Sequence, residues 1–510
     1  MTMSLAASPA ARKVDLQGLA LAALPTLGPV FVGGLLGSGG LVFKVAFGLL
    51  VVLLLGYTWF LRDRPVVLVA GFLIWLTVER LVLTTVSARL DSTTLTWLLA
   101  YKEFFFPAMF LVGLRRARVV WDRSSNMVRF VDVAAICFGI AIVVALALTG
   151  APFSNRINYA RRFAELPLVY LAGRLLPIRL ADARAIMLAI VAVAVPVAIF
   201  GFLERSVWET LIWRDLAPAS QYYHLSMQGG IAAYAGEANL ERLYQGLPLN
   251  FWQFGAGDTV RRLVSTYMEP TTLAMYLAIA GAVALSLWPR KWPTYVVTAV
   301  LVAAAVLTLG KAGLLVFGVA GGYAVLAGWR SELRRPSTVV GIAAAIGVVV
   351  AVGAVAMQAF GTWSSALAHL RGLKDGLDSV VHAPFGTGLG YGGDFGIGQA
   401  GAESSIGVML IQIGLPGLGL WLAWLVGLAV ACAYAARKSE LGLVWLTLAV
   451  AVFAFLITAA FTESAGGLLG NWPYALLPAI AVGIDAGTAG EPSAGETPVS
   501  RIGAWLGARR

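Results

Sequence analysis

Residues 404–436 read SSIGVMLIQIGLPGLGLWLAWLVGLAVACAYAA. A run this long and this apolar exceeds the roughly twenty residues that an α-helix needs to cross a bilayer. GLPG at 414–417 divides it into a short half-helix and a full span, because proline lacks the N–H that an unbroken helix requires. The residues that lead into it have the opposite character. From 368 to 404 the chain reads AHLRGLKDGLDSVVHAPFGTGLGYGGDFGIGQAGAES, polar and rich in glycine. Connections of that length with no obvious structure are usually functional or disordered.

Working outward, apolar runs of similar length recur near 16–36, 41–61, 65–84, 95–114, 130–150, 185–204, 338–358 and 441–461, and two more meet within 294–329. Of 510 residues, 59% are hydrophobic and 12% charged. This composition makes the chain an all-α polytopic membrane protein and leaves no room for a soluble domain of useful size. Roughly twelve to fourteen spans are expected, with both ends inside. They form one transmembrane domain over 1–484. Two long connections, 205–262 and 359–404, fall on one outer face and carry short interfacial helices. Residues 485–510, rich in Gly, Ala, Ser, Pro and Thr, read as a flexible cytoplasmic tail. The first run lacks a clear cleavage site and is read as an uncleaved span.

The net charge of +11 invites a nucleic-acid reading, but position decides against it. The basic residues sit mainly in short links such as RDR (62–64), RRARVVWDRSSNMVR (115–129), WPRKW (288–292) and WRSELRR (329–335). The positive-inside rule places such links in the cytoplasm, so the charge reports topology. Cys137 and Cys432 both lie inside apolar runs, and neither a disulfide nor a metal cluster is expected.

Several charges fall within spans: Glu79 and Arg80, Lys102 and Glu103, and Arg174 in the short, imperfect apolar segment 164–178. At such depth they must pair or face a polar cavity, and a structural pair and a substrate contact are both open. Arg156, Arg161 and Arg162 cluster in APFSNRINYARRF, on the side the rule leaves poor in cations. An anionic ligand, lipid headgroups and simple tolerance explain them equally well.

The connection 205–262 is rich in aromatics, including Trp208, Trp213, Tyr222, Tyr223, Tyr234, Tyr244, Phe251 and Trp252. It ends in Arg261 and Arg262, with Glu269 at the mouth of the next span. Paired guanidiniums suit a diphosphate, which they grip through bidentate, charge-assisted hydrogen bonds. Lys311 lies where the two runs of 294–329 meet, and the cost of burying it at mid-membrane puts a turn there.

In the other connection, Leu367, Leu370, Leu373, Leu377, Val380 and Val381 recur at helical spacing over 366–381, with Arg371, Lys374, Asp375 and Asp378 opposite. That is a helix lying on a membrane surface, ended by Pro384. The glycines from Gly386 to Gly401 are expected to allow close backbone approach to a ligand, with Tyr391, Asp394 and Phe395 among them. Glu403 stands at the re-entry, either as a helix-capping acid or as a functional one.

Four stretches taken in order carry a resemblance: RRLVSTYMEPTTLAMYLAIA (261–280), LTLGKAGLLVFGVAGGY (307–323), RGLKDGLDSVVHAPFGTGLGYGG (371–393) and AESSIGVMLIQIGLPGLGLWLAWLV (402–426). Together they resemble the signature of the O-antigen ligase and polymerase superfamily, integral-membrane glycosyltransferases of the GT-C type. The resemblance covers 255–436, and the first half shares only the pattern of spans. It implies a protein of the bacterial inner (cytoplasmic) membrane with its site on the periplasmic side. There a glycan passes from an undecaprenyl-diphosphate carrier to an acceptor hydroxyl, without metal, nucleotide sugar or other cofactor. The implied partners are the lipid-linked oligosaccharide, the membrane and a chain-length regulator.

The family's diphosphate-binding cations fall on Arg261 or Arg262, with Arg371 from the second connection. Where the family's turn usually reads serine and arginine, this chain has Gly310 and Lys311, which keeps a cation and loses its fork geometry. Ligases typically carry histidine at the re-entry; Glu403 here looks more like the polymerase branch. A carboxylate can accept the proton of the attacking hydroxyl, which makes Glu403 the first candidate base and Glu269 the second. His369 and His382 are lesser candidates, and His224 a weaker one. Tyr267, Tyr391, Asp394 and His382 are placed on the glycan side. A ligase, and a flippase or transporter for lipid-linked glycans, are the alternatives.

Overall fold

A computed structural model describes residues 16–36, 40–208, 211–226, 252–254, 259–342, 344–345, 364–393, 404–462 and 470–487. Its helices are α1 (Leu16–Leu36), α2 (Leu41–Phe60), α3 (Pro65–Val86), α4 (Ser92–Ala100), α5 (Phe105–Gly113), α6 (Ala117–Arg123), α7 (Asn126–Ala147), α8 (Phe153–Leu175), α9 (Leu180–Ser206) and α10 (Ala219–Ser226). They continue as α11 (Pro270–Leu287), α12 (Trp292–Leu307), α13 (Lys311–Trp329), α14 (Ser364–His382), α15 (Ser405–Ala435), α16 (Gly442–Thr458) and α17 (Trp472–Gly487). A hairpin of two three-residue strands, β1 (Trp252–Phe254) and β2 (Thr259–Arg261), pairs Trp252 with Arg261. It is the sheet structure among the described residues, and the chain is otherwise an all-α membrane protein.

Eight helical stretches are long and apolar enough to cross a membrane, and four shorter apolar helices accompany them, among the described residues. Helix α2 shows why a bilayer is the solvent. Leu41, Val42, Val45, Leu49, Val52, Leu53, Trp59 and Phe60 are all exposed along it, an arrangement stable only where the surroundings are apolar.

At the other extreme, every residue of α11 except Thr271 is buried. Small residues allow this. A Cβ on Gly313 would lie 2.5 Å from the Ala274 carbonyl carbon, so α11 and the start of α13 touch backbone to backbone. Helix α11 is the post around which α9, α12, α13 and α16 pack.

The expected spans mostly appear as helices, with one correction. The segment expected to connect spans over APFSNRINYARRF is helical and continuous with the imperfect apolar segment, giving the single helix α8. Tyr159, Phe163, Leu166, Tyr170 and Arg174 repeat at helical spacing and are buried. This stripe is aromatic and polar enough to hide from a hydropathy reading. Its arginines are engaged within the fold. Arg156 Nη1 donates to the carbonyls of Leu146 and Thr149, both at 3.4 Å, and Arg161 pairs with Glu103 at 3.0 Å. Most of the run at 338–358, and the tail beyond 487, lie outside the described residues.

Candidate functional site

Two buried charges, Glu204 and Arg261, meet where the connection 205–262 returns to the bundle. Glu204, at the end of α9, is inaccessible and accepts four hydrogen bonds. Oε1 takes the backbone N–H groups of Val264 and Ser265, at 3.0 and 3.1 Å. Oε2 takes Trp213 Nε1 at 2.7 Å and Arg261 Nη2 at 2.8 Å. Arg261 is 8% exposed. It also donates through Nη1 to the carbonyl of Arg262. Arg205 Nε donates to the Arg261 carbonyl at 3.0 Å. Of the two arginines expected to hold a diphosphate, Arg261 therefore serves as the internal counter-ion of Glu204.

Arg262 points differently. Half-buried, its Nε donates to the carbonyl of Thr308 at 2.8 Å, while Leu263 N–H donates to the carbonyl of Leu307 at 2.9 Å. These bonds dock the strand exit on the turn between α12 and α13. Lys311, exposed, is the first residue of α13 beyond that turn, as its position in the sequence required. The cations of Arg262 and Lys311 therefore belong to one turn at the mouth of α11.

The chain then makes a tight turn into α11. Ser265 and Met268 both have positive φ, +49° and +51°, a conformation that non-glycine residues hold only when their surroundings impose it. Ser265 Oγ donates to the Val197 carbonyl at 2.6 Å, and Thr84 Oγ1 donates to Met268 Sδ at 2.9 Å. Between them Tyr267 is 1% exposed and stacks on Tyr276, ring centres 5.5 Å apart. It is a core residue and presents no face to a glycan, which corrects that expectation. Its burial pushes the phenol pKa well up.

Glu269 follows at the N-cap of α11. Its Oε2 lies 3.5 Å from Arg80 Nη1, with 31% of its side chain accessible. Oε1 accepts from Thr271 Oγ1 at 2.8 Å. Arg80 also donates to the Tyr267 carbonyl at 3.3 Å. Tyr222 of α10 is buried within electrostatic reach of this pair; burial pushes its hydroxyl up to about 12, with Arg80 acting in the other direction. Next to Arg80, Glu79 takes Lys102 at 2.9 Å. The intramembrane charges are thus paired across helices and not between neighbours in sequence.

Helix α14 forms as the apolar spacing required. Arg371, Lys374, Asp375 and Asp378 are exposed on it, with Lys374 and Asp378 3.5 Å apart. A Cβ on Gly407 would run into the Gly372 carbonyl oxygen, so α14 crosses the start of α15 without side chains between them. His382, the last residue of α14, is exposed.

The loop after α14 corrects another expectation. Gly386 and Gly388 have φ of +83° and +89°, and a Cβ on either would sit 2.5 Å from protein, at the Gln412 carbonyl oxygen and at Thr149 Cβ respectively. The glycines do permit close approach, but to the protein's own helices. Helix α15 breaks at Gly414, φ +66°, just before Pro416. The carbonyls released by the break are taken up by the loop. Ile411 accepts from Thr387 N and Oγ1 at 2.7 and 2.9 Å, and Gln412 accepts from Gly388 N at 3.0 Å. Leu415 N–H donates to Pro384 in return, at 2.9 Å. Tyr391 is half-buried, its carbonyl accepting Gln412 Nε2 at 2.8 Å.

Glu403 and Asp394 lie outside the described residues. The residues that follow Glu403 do not. Ser404 caps α15 by accepting Gly407 N–H at 3.1 Å, and the N–H groups of Ser405 and Ile406 donate to Thr462 and Ala459 at 3.1 and 3.2 Å. From the far side, Tyr474 Oη donates to the Met275 carbonyl of α11 at 2.9 Å, and Gly470 abuts Thr272. The starts of α15 and α11, one after Glu403 and the other after Glu269, therefore share one end of the bundle with the end of α16.

The sequence reading missed Glu204 and Trp213 as partners of Arg261. An acid at the end of an apolar run beside a second arginine was the available signal. No protein-family model and no curated protein matches this chain.

Proposed function

We propose that the chain is a polysaccharide polymerase of GT-C type. It transfers a glycan from an undecaprenyl-diphosphate carrier to a hydroxyl of a second lipid-linked glycan, on the periplasmic face of a bacterial inner membrane. One observation carries the reading: Arg262 and Lys311 flank the same turn at the mouth of α11, where Glu269 stands partly accessible. In this scheme the acceptor oxygen forms its bond to the anomeric carbon as the bond to the diphosphate oxygen breaks. The acceptor proton passes to a carboxylate, Glu403 or Glu269. The two cations take up the charge of the leaving diphosphate. Arg371 and His382, exposed on α14, are the residues the second connection would offer to the carrier and the glycan, and a chain-length regulator remains a partner of the proposal.

The test is direct. Purified protein in detergent receives an undecaprenyl-diphosphate oligosaccharide without divalent metal, and products are run on a gel beside Glu403→Gln and Glu269→Gln variants. A ladder lost in either variant supports the polymerase and identifies its carboxylate. Absence of any product, with substrate and fold verified, transfers the proposal to a ligase whose acceptor was not supplied. The break in α15 is a feature shared with transporters that use open half-helix ends to bind ions. Here Thr387 and Gly388 already occupy the released carbonyls, which favours the enzyme.

A further inference from the structure

Helices α11, α12 and α13 share a second end, opposite the mouth that carries Arg262 and Lys311. Both α11 and α13 are long and apolar enough to cross a membrane, so Leu287, Trp292 and Trp329 mark where these spans terminate. Two links close this end, WPRKW (288–292) and WRSELRR (329–335). Arg290 joins them. Its φ is +67°, a conformation imposed on a non-glycine residue by its surroundings. Its guanidinium lies over the Trp329 ring at 5.4 Å, while Nη2 donates to the Trp329 carbonyl at 3.0 Å. Arg334 fixes the other side of the corner, donating to the carbonyls of Ala327 and Gly328 at 2.7 and 3.2 Å. A narrow groove remains between the links, with Trp288, Arg290, Tyr295, Val325 and Trp329 along it.

The charge of this corner is one-sided. Its links hold Arg290, Lys291, Arg330, Arg334 and Arg335 against the single acid Glu332, all of them exposed. Lys291, Arg330 and Arg335 enter no salt bridge among the described residues. Beside these cations Trp288, Trp292, Tyr295 and Trp329 are exposed too, and the apolar surface continues along the helices through Val296 and Leu326. A nucleic acid or an acidic peptide would engage the cations and leave that surface unused, whereas an anionic amphiphile engages both. A zwitterionic headgroup would bring its own ammonium up against the guanidiniums. We propose that this corner binds an anionic phospholipid, with its phosphate on Arg290 and Arg330 and its acyl chains along Val296 and Leu326. Trp288, Trp292 and Trp329 flank the glycerol, at the level where indole rings sit in a membrane interface. This lipid is distinct from the glycan carrier, which under the proposed chemistry meets the opposite end of α11.

The protein is reconstituted in nanodiscs of equal parts phosphatidylglycerol, phosphatidylethanolamine and phosphatidylcholine, and the lipids retained after transfer to detergent are counted by native mass spectrometry. The expected result is retention of phosphatidylglycerol roughly tenfold above either other lipid, falling below about threefold in Arg290→Gln/Arg330→Gln. The control Arg118→Gln/Arg123→Gln removes the same charge from another exposed basic link and should keep the preference. Equal retention of the three lipids by the wild type would overturn the proposal, as would a preference that survives in Arg290→Gln/Arg330→Gln. An equal loss in the control would show that net charge alone retains the lipid, and would overturn it as well. So would a wild-type dimer that carries no lipid and is lost in the corner variant, because this face would then be an interface between two copies. If Arg290→Gln/Arg330→Gln fails to fold, Lys291→Gln/Arg330→Gln is measured in its place and must show the same fall, since neither of its side chains makes a hydrogen bond among the described residues.

Discussion

Arg261 Nη2 and Glu204 Oε2 sit 2.8 Å apart, with 8% and 0% of their side chains accessible. A pair so enclosed contributes little net stability when intact, because desolvation offsets most of its attraction. Breaking it is another matter. Glu204→Ala leaves a buried guanidinium without its counter-ion and also strips acceptors from Trp213, Val264 and Ser265. A loss of about 3–5 kcal/mol is expected, read as a lowered thermal midpoint in detergent. An unchanged midpoint would mean that Arg261 does not depend on Glu204.

Arg262 separates from Arg261 by the same logic. Its Nε donates to the backbone carbonyl of Thr308, and it is only half-buried, so Arg262→Ala should fold and insert normally. Under the proposed chemistry its turnover falls by more than tenfold, which corresponds to about 1.4 kcal/mol of lost transition-state stabilisation. Lys311→Ala should fall similarly, and Lys311→Arg should retain activity. Full activity in both alanine variants would remove the diphosphate site from this turn.

Gly386 and Gly388 close the loop onto α15 and onto the turn after α7. Alanine at Gly386 must adopt a positive φ and place its Cβ 2.5 Å from the Gln412 carbonyl oxygen. The expected destabilisation is about 2–4 kcal/mol, combining backbone strain with displacement of the loop. Gly419, which has open space around it, supplies the control: alanine there should be neutral or slightly stabilising. Equal effects at the two positions would show that the loop is not held by this contact.

Much of the architecture was legible because hydropathy and glycine-proline breaks act locally. The kink at GLPG, the turn before Lys311 and the amphipathic α14 follow from their own residues. What escaped depends on partners far away in sequence. Nothing near Tyr267 announces that Tyr276 and Thr84 surround its turn, so an aromatic beside two arginines reads as a ligand contact when it is core. The glycines of 386–393 signal close approach without saying to what. Helix α8 hid because its buried stripe is built from Tyr159, Tyr170 and Arg174, and burying such groups requires Asp132 and Ser124, which lie on other elements.

The Glu79–Lys102 pair tests whether the intramembrane charges are structural. Glu79 is inaccessible, and Lys102 Nζ reaches its Oε1 at 2.9 Å. Glu79→Gln alone leaves a buried ammonium opposite a neutral amide, for an expected loss of about 3 kcal/mol, and Lys102→Met leaves the buried carboxylate for a similar loss. If the two serve only each other, the double variant Glu79→Gln/Lys102→Met should recover much of that loss, because no uncompensated charge remains. The coupling measured by such a cycle should reach at least about 2 kcal/mol, compared through thermal midpoints in one detergent. Double-variant losses that simply add would show that one of the two charges acts on something else, and Arg80, adjacent to Glu79 and bound to Glu269, would be the group to examine next.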